Sequence, residues 1–220
     1  MEAENCRFCD ILKNTKIGNR ESCSVIPLHD TVLYETDNFL VLPALGAIVS
    51  GYIMIISRAH VYSMAELSQN HLEELQSLLN CLRGVIMRGF KVQPIVFEHG
   101  SAPGCFDIAA NSVNHAHFHV VPIGMSQEDA IIRDSCAIEI PNIHSICAYK
   151  EKPYFLYIND KDQFYLSQGK ILESQYMRRW VANEAGIPLY WDWRKFEFID
   201  NVAATVEHFL GQTQSVLSAE

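Results

Sequence analysis

Ten residues, Val113-Asn114-His115-Ala116-His117-Phe118-His119-Val120-Val121-Pro122, constrain this chain more than any others. Three of its nine histidines fall there, at i, i+2 and i+4. Side chains alternate across a strand, so an extended segment turns His115, His117 and His119 to one face and Ala116, Phe118 and Val120 to the other. The apolar face predicts a strand laid on a core. The imidazole face is open to three readings: metal ligands, catalytic groups, or the solvent side of an ordinary half-buried strand.

The neighbouring segments predict what that strand joins. Val32-Leu33-Tyr34 and Phe39-Leu40-Val41-Leu42 flank Asp37-Asn38 as a hairpin, and Gly51-Tyr52-Ile53-Met54-Ile55-Ile56 reads as a central strand. Ser68 is placed to cap a helix running to about Arg88. Leu72, Leu75, Leu78, Leu79, Leu82, Val85 and Ile86 form its apolar stripe, and Gly89 suits its stop. Pro94-Ile95-Val96-Phe97-Glu98 is a fourth strand, 100–111 a loop, and the histidine strand the fifth. Strands, one long helix, then strands again predict an α+β fold: an antiparallel sheet with a long helix packed on it.

Beyond Gly124 the pattern changes. Residues 125–150 carry no clear period. Tyr154-Phe155-Leu156-Tyr157-Ile158 and Gln163-Phe164-Tyr165-Leu166 flank a turn as a second hairpin. Ser174 and Asp200 are placed to cap helices ending at Gly186 and Gly211. The expected organisation is a domain over 1–124 that carries the histidine strand and an α+β extension over 125–220 packed on it. The aromatic run Tyr190-Trp191-Asp192-Trp193-Arg194 could wall a ligand site, although such clusters more often sit in cores or interfaces.

Of the 220 residues, 49% are hydrophobic and 20% charged, which excludes the disordered and fibrous classes. A net charge of −9 argues against broad contact with nucleic acid or anionic membrane, so no partner of either kind is expected. The opening Met-Glu-Ala-Glu-Asn leads into no apolar run, and the most apolar stretch, 47–56, is too short to span a bilayer. Seven cysteines cannot all pair with one another, so a reduced, cytoplasmic setting is expected, where a close pair more often binds metal. Cys6-Arg7-Phe8-Cys9 is such a pair: it can give two thiolates to one tetrahedral zinc, and two distant imidazoles can complete the set. Gly100-Ser101-Ala102-Pro103-Gly104 lacks the Gly-Lys-Ser/Thr ending of a P-loop, and no organic cofactor is expected.

His-Ala-His-Phe-His-Val-Val resembles the His-x-His-x-His-x-x signature of the histidine triad (HIT) superfamily of nucleotide hydrolases and nucleotidyltransferases. Cys6-x-x-Cys9, the strand ending at His60, and Ala110-Asn111-Ser112-Val113 before the triad follow in that superfamily's order, so the resemblance spans 6–124. It departs in three places, one being the longer 100–111 loop, which carries Pro103 and Cys105. Pro43-Ala44-Leu45 stands where members that bind the ribose carry an acidic residue, and Glu98-His99-Gly100 stands for Asn-Glu-Gly.

The resemblance implies that His117 is the nucleophile, through a covalent nucleotidyl-histidine intermediate. It implies that His119 meets a phosphate oxygen or the leaving-group proton, and that Asn111 and Ser112 donate to phosphoryl oxygens. It also implies a structural zinc on Cys6, Cys9, His60 and His115, as in zinc-binding relatives. The expected function is hydrolysis of a phosphoanhydride or phosphoramidate bond of a nucleotide, such as a dinucleoside polyphosphate or a nucleoside phosphoramidate. The alternatives are a nucleotidyltransferase or dinucleoside polyphosphate phosphorylase, and a non-catalytic, zinc-stabilised nucleotide-binding module. A DNA-end-processing enzyme is disfavoured by the acidic balance. Many relatives are homodimers, and open sheet edges would make that easy here.

Overall fold

In the computed structural model, residues 6–14, 27–105, 113–168, 170 and 172–217 are described. Eight strands form one sheet in the order β1-β2-β3-β5-β4-β7-β8-β6. They are β1 (Tyr34–Glu35), β2 (Phe39–Pro43), β3 (Ile53–Ser57), β4 (Ile95–Gly100), β5 (His117–Val121), β6 (Ile138–Ile140), β7 (Tyr154–Ile158) and β8 (Phe164–Gln168). Every pairing is antiparallel. The expected α+β fold and both hairpins are present. The sheet does not stop at residue 124, because β7, β8 and β6 extend it past β4.

Alternation along the strands divides the interior in two. One face carries Phe39, Val41, Ile53, Ile55, Val96, Phe118 and Val120 under α2 (Gln69–Phe90), whose Leu72, Leu75, Leu79, Leu82 and Ile86 pack on it. Val206 and Phe209 of α5 (Ile199–Leu217) join that layer. The other face carries Leu40, Leu42, Met54, Ile56 and Phe97. It is covered by Phe8 and Ile11 of α1 (Arg7–Asn14), Ile131 of α3 (Glu128–Ser135), and Met177 and Val181 of α4 (Tyr176–Glu184). Both faces are therefore buried, which explains why β2 and β3 read as continuous apolar runs rather than alternating ones.

Helix ends hold the departures from expectation. Ser68 caps α2 as expected, accepting from the His71 N–H at 3.3 Å. The stop is Lys91 in the left-handed region (φ 60), two residues past Gly89. Gly89 is instead where α5 crosses: a Cβ there would lie 2.3 Å from the His208 ring, and His208 Nε2 donates to the Val85 carbonyl at 3.1 Å. The cap of α4 is Gln175 (φ 59), not Ser174. α5 begins before Asp200 and runs through Gly211, where a Cβ would meet nothing within 4 Å, so nothing there demands a break. Among the described residues, no helix is long and apolar enough to cross a membrane.

Glu98, on β4, is 1% exposed. It accepts from the Met64 N–H at 2.9 Å and pairs with the Tyr154 hydroxyl, whose ring lies against Gly100. Burial pushes its carboxyl up to about 8, against the two hydrogen bonds that favour the anion. Its folded-state pKa thus exceeds the unfolded value of 4.5. The unfolded chain releases the proton first as pH rises, so stability falls between roughly pH 4.5 and 8, by up to about 1.4 kcal/mol per pH unit. Glu98→Gln keeps an acceptor for Met64 and cannot ionise. Urea unfolding at pH 5 and pH 8 is expected to show the variant losing less stability than wild type across that window; parallel losses would refute the buried-acid account.

Candidate active site

β5 lies between β3 and β4, with His117 opposite Ile56 and His119 opposite Met54 and Phe97. That register sends His117 and His119 to the face covered by α1 and α4, while Phe118 and Val120 enter the layer under α2. His115 precedes the strand and is placed by different bonds. The Ala116 N–H donates to the Val61 carbonyl at 2.7 Å, and His115 Nε2 donates to the Ser57 carbonyl at 2.6 Å.

The triad therefore divides. His115 turns Nδ1 toward α1, 3.4 Å from Cys6 Sγ and 3.6 Å from Cys9 Sγ, while His60 Nδ1 is 3.2 Å from Cys9 Sγ. The four ligand atoms of Cys6, Cys9, His60 and His115 all lie within 4.8 Å of one another. Around a tetrahedral ion with bonds of about 2.0–2.3 Å, neighbouring ligands sit about 3.3–3.8 Å apart, so this cluster can hold one metal ion. The donor chemistry agrees. The Ser57 carbonyl keeps the His115 proton on Nε2 and leaves the Nδ1 lone pair toward the cluster, the usual second-shell arrangement for a ligating histidine. Burial, with His60 and His117 nearby, lowers His115 to about 4, so it stays neutral. Burial and the adjacent Cys6 push the Cys9 thiol up to about 11, which a bound cation would reverse.

One helical turn thus couples the cluster to a pocket. Phe8, between the two cysteines, packs edge-on against both His115 and His117 at ring separations of 5.7 and 5.2 Å. Arg7 beside it bonds Asp30 at 2.8 Å, and both Arg7 and Phe8 line the pocket. The sheet supplies Met54, Phe97, His99, His117 and His119 to its floor, and Leu45 and Val113 complete that side. Gln175, Arg178 and Trp193, all beyond residue 125, form the remaining wall.

Trp193 is set there by a small clamp. Gln175 donates to Asp192 Oδ1 at 3.0 Å and accepts from the Trp193 N–H at 3.2 Å. Arg194 donates to the same Asp192 oxygen at 2.8 Å and holds that carboxyl well below the usual carboxylate range. Gly46 sits against Trp193 so closely that a Cβ would lie 2.8 Å from the Trp193 Cβ.

Each pocket imidazole has a distinct environment. His117 Nδ1 donates to the His115 carbonyl at 2.7 Å, and burial lowers its pKa. His119 stacks on Phe97 with centroids 4.5 Å apart, and its Nδ1 is 2.9 Å from the Tyr52 hydroxyl. Burial, His117, Arg178 and His99 together hold it well below the ordinary value. His99 lies between Phe97 and Phe155, and burial lowers it to about 3. Its buried Nε2 has no hydrogen-bond partner among the described residues. All of these rings are neutral near pH 7, so the pocket presents lone pairs and N–H groups rather than imidazolium charge.

Asn111 and Ser112 lie outside the described residues. Tyr52, Gln175, Arg178 and His99 join the site without a sequence motif to mark them. Trp193 had a weak signal in its aromatic run. Tyr52 and Arg178 had none, because an apolar strand and a helix N-terminus contain such residues for many reasons.

The chain matches the family described as "Scavenger mRNA decapping enzyme C-term binding" over residues 19–131. That range includes His60 and the triad but neither Cys6, Cys9 nor the pocket wall beyond 131. No curated protein matches the chain. Among solved structures it is similar to a zinc-bound histidine triad family protein from Mycobacterium smegmatis, at 15% identity and TM-score 0.42, covering 66% of this chain and 90% of that one. It is also similar to a HIT family hydrolase from Clostridium thermocellum, at 21% identity and TM-score 0.36 over 56% and 94%. A third is a HIT family protein from Bacillus anthracis, at 20% identity and TM-score 0.40 over 54% and 73%. By its match over half its length and the histidine triad within that match, the chain belongs to this decapping-enzyme C-terminal family of the HIT superfamily.

Proposed function

We infer that this protein hydrolyses a phosphoanhydride or phosphoramidate bond of a nucleotide through a covalent intermediate on His117. The observation that carries the reading is the 2.7 Å bond from His117 Nδ1 to the His115 carbonyl. A carbonyl can only accept, so the proton stays on Nδ1 and Nε2 keeps its lone pair. Nε2 attacks phosphorus and forms the N–P bond; the bond to the leaving group breaks, and its electron pair departs with the leaving oxygen or nitrogen. His119, with rings 4.9 Å from His117, hydrogen-bonds a phosphoryl oxygen or protonates that leaving atom. Water then attacks the same phosphorus and gives up a proton, to His119 where that residue has protonated the leaving atom and otherwise to solvent; the N–P bond breaks with its electron pair returning to His117 Nε2, and the nucleoside monophosphate is released. Asn111 and Ser112 supply neutral donors to the phosphoryl oxygens in this reading.

We assign the Cys6, Cys9, His60 and His115 cluster to structural zinc, because thiolate–imidazole sets with four protein ligands suit a closed tetrahedral site. Bound there, the ion ties α1 to the triad segment and takes no part in the bond-breaking step. We read residues 125–220 as the segment that closes the pocket, with Trp193 offering an aromatic face to the nucleoside.

The test is to trap the intermediate. A dinucleoside polyphosphate and a nucleoside phosphoramidate, each labelled on the α-phosphorus, are mixed with enzyme and quenched in base, which preserves phosphohistidine. Label on His117 that water alone discharges is the expected result. Discharge only by inorganic phosphate or a sugar phosphate would replace hydrolysis with phosphorolysis or transfer. Nucleotide bound without label or turnover would leave the non-catalytic binding module.

A further inference from the structure

The bond behind His119 assigns its proton. Tyr52 is two residues before Met54, on the same face of its strand segment as the residue opposite His119, and it is fully buried. Its hydroxyl is 2.9 Å from His119 Nδ1, and its other polar neighbour is the Arg178 guanidinium. Either group could donate across that bond, and the choice decides which His119 nitrogen carries the proton.

Arg178 breaks the tie. Its guanidinium reaches from α4 across the loop after β2, donating from Nη2 to the Gly46 carbonyl at 2.6 Å and from Nε to the Trp191 carbonyl at 2.8 Å. Its guanidinium carbon lies 5.8 Å from the Tyr52 ring centroid. A fixed cation on that side draws the phenol oxygen and repels the phenol proton. The Tyr52 O–H dipole therefore points away from Arg178 and toward His119 Nδ1. Burial outweighs this attraction and keeps the phenol un-ionised, so the proton is available to donate.

We propose that Tyr52, oriented by Arg178, is a positioning residue that holds His119 as its Nε2–H tautomer. Two neighbouring imidazoles then present opposite chemistry to the pocket. His117 offers an Nε2 lone pair because a carbonyl holds its Nδ1 proton. His119 offers an Nε2–H because a hydroxyl occupies its Nδ1. A carbonyl and a hydroxyl behind two rings are enough to separate nucleophile from donor without charging either. The helix that fixes Tyr52 belongs to the segment beyond residue 125, so that segment acts on the reaction as well as enclosing the pocket. The role toward phosphate rests on the reading under Proposed function; the tautomer does not.

Nitrogen-15 NMR of histidine-labelled full-length protein decides the tautomer without substrate. The His119 ring is assigned by its loss in His119→Asn. The expected spectrum has His119 protonated at Nε2, with Nδ1 shifted as a hydrogen-bonded acceptor, and that shift disappears in Tyr52→Phe. Protonated Nδ1 in wild type overturns the proposal. Tyr52→Phe removes one oxygen and keeps the ring's packing. With a nucleotide that wild type turns over, it should lower kcat about tenfold or more with KM within threefold. Unchanged kcat would overturn the catalytic part even if the tautomer were correct. If no nucleotide is turned over, the function has failed, and the spectrum still judges the tautomer.

Discussion

His117→Ala is expected to lower kcat at least about a thousandfold while the protein stays folded and still binds nucleotide. The size follows from what is removed. In the two-step route the imidazole forms the bond to phosphorus, and no other group in the pocket duplicates its free Nε2. His115 turns its lone pair toward the cysteines, and His119 has its Nδ1 bonded to Tyr52. His99 also lines the pocket, on the neighbouring strand β4, but its Nε2 is buried without a partner and no bond among the described residues fixes its tautomer. Folding should tolerate the change, because His117 is half-buried and contacts Phe8 and His119 edge-on rather than filling the centre of a layer. The measurements are single-turnover rates, nucleotide binding by calorimetry, and a thermal melt. Residual turnover above about one tenth of wild type would move the nucleophile elsewhere.

His115→Ala, two residues away, is expected to fail differently: bound metal is lost and the melting temperature drops first. Its side chain is 1% exposed and links three elements, through Cys6 on one ring nitrogen and the Ser57 carbonyl on the other. Removing it or Cys9 leaves three candidate ligands and an uncompensated buried group. We expect a loss of about 3 kcal/mol or more, within the range for losing a structural metal. Chelation of wild-type protein should reproduce the drop, whereas the melt of His115→Ala should no longer respond to chelator. Activity should fall as a consequence, because Arg7 and Phe8 reach the pocket only while α1 is docked. Elemental analysis before and after chelation checks the account. Wild-type protein with no bound zinc and a melt unaffected by chelator or added zinc would sink it.

These two positions lie one full period of strand alternation apart, on the same face, and the family resemblance implied that they should differ. Cys-x-x-Cys was legible as a thiolate pair, the family resemblance implied His60 and the first triad histidine as its partners, and the structure brings all four together. The sheet, both hairpins and the long helix were legible because each strand or helix repeats its pattern within a few residues. Helix ends were less so. Gly89, Ser174 and Gly211 carry strong local signals, yet the chain stops, starts or continues according to what crosses nearby, such as His208 over Gly89.

Periodicity determined, from sequence alone, which residues share a face: that the histidines line one side of a strand and that Phe118 and Val120 anchor the other. It could not determine what stands opposite that face. Arg178 follows Tyr52 by 126 positions. Their meeting depends on a loop near Gly46 small enough for Trp193 to close on it, and on α4 lying over the triad face. Nor could sequence tell the histidines' protons apart, since alternation treats all three imidazoles alike. A carbonyl behind His117, a hydroxyl behind His119 and two thiols in front of His115 make that distinction. These are contacts across strands and between distant segments, fixed only when the layers pack.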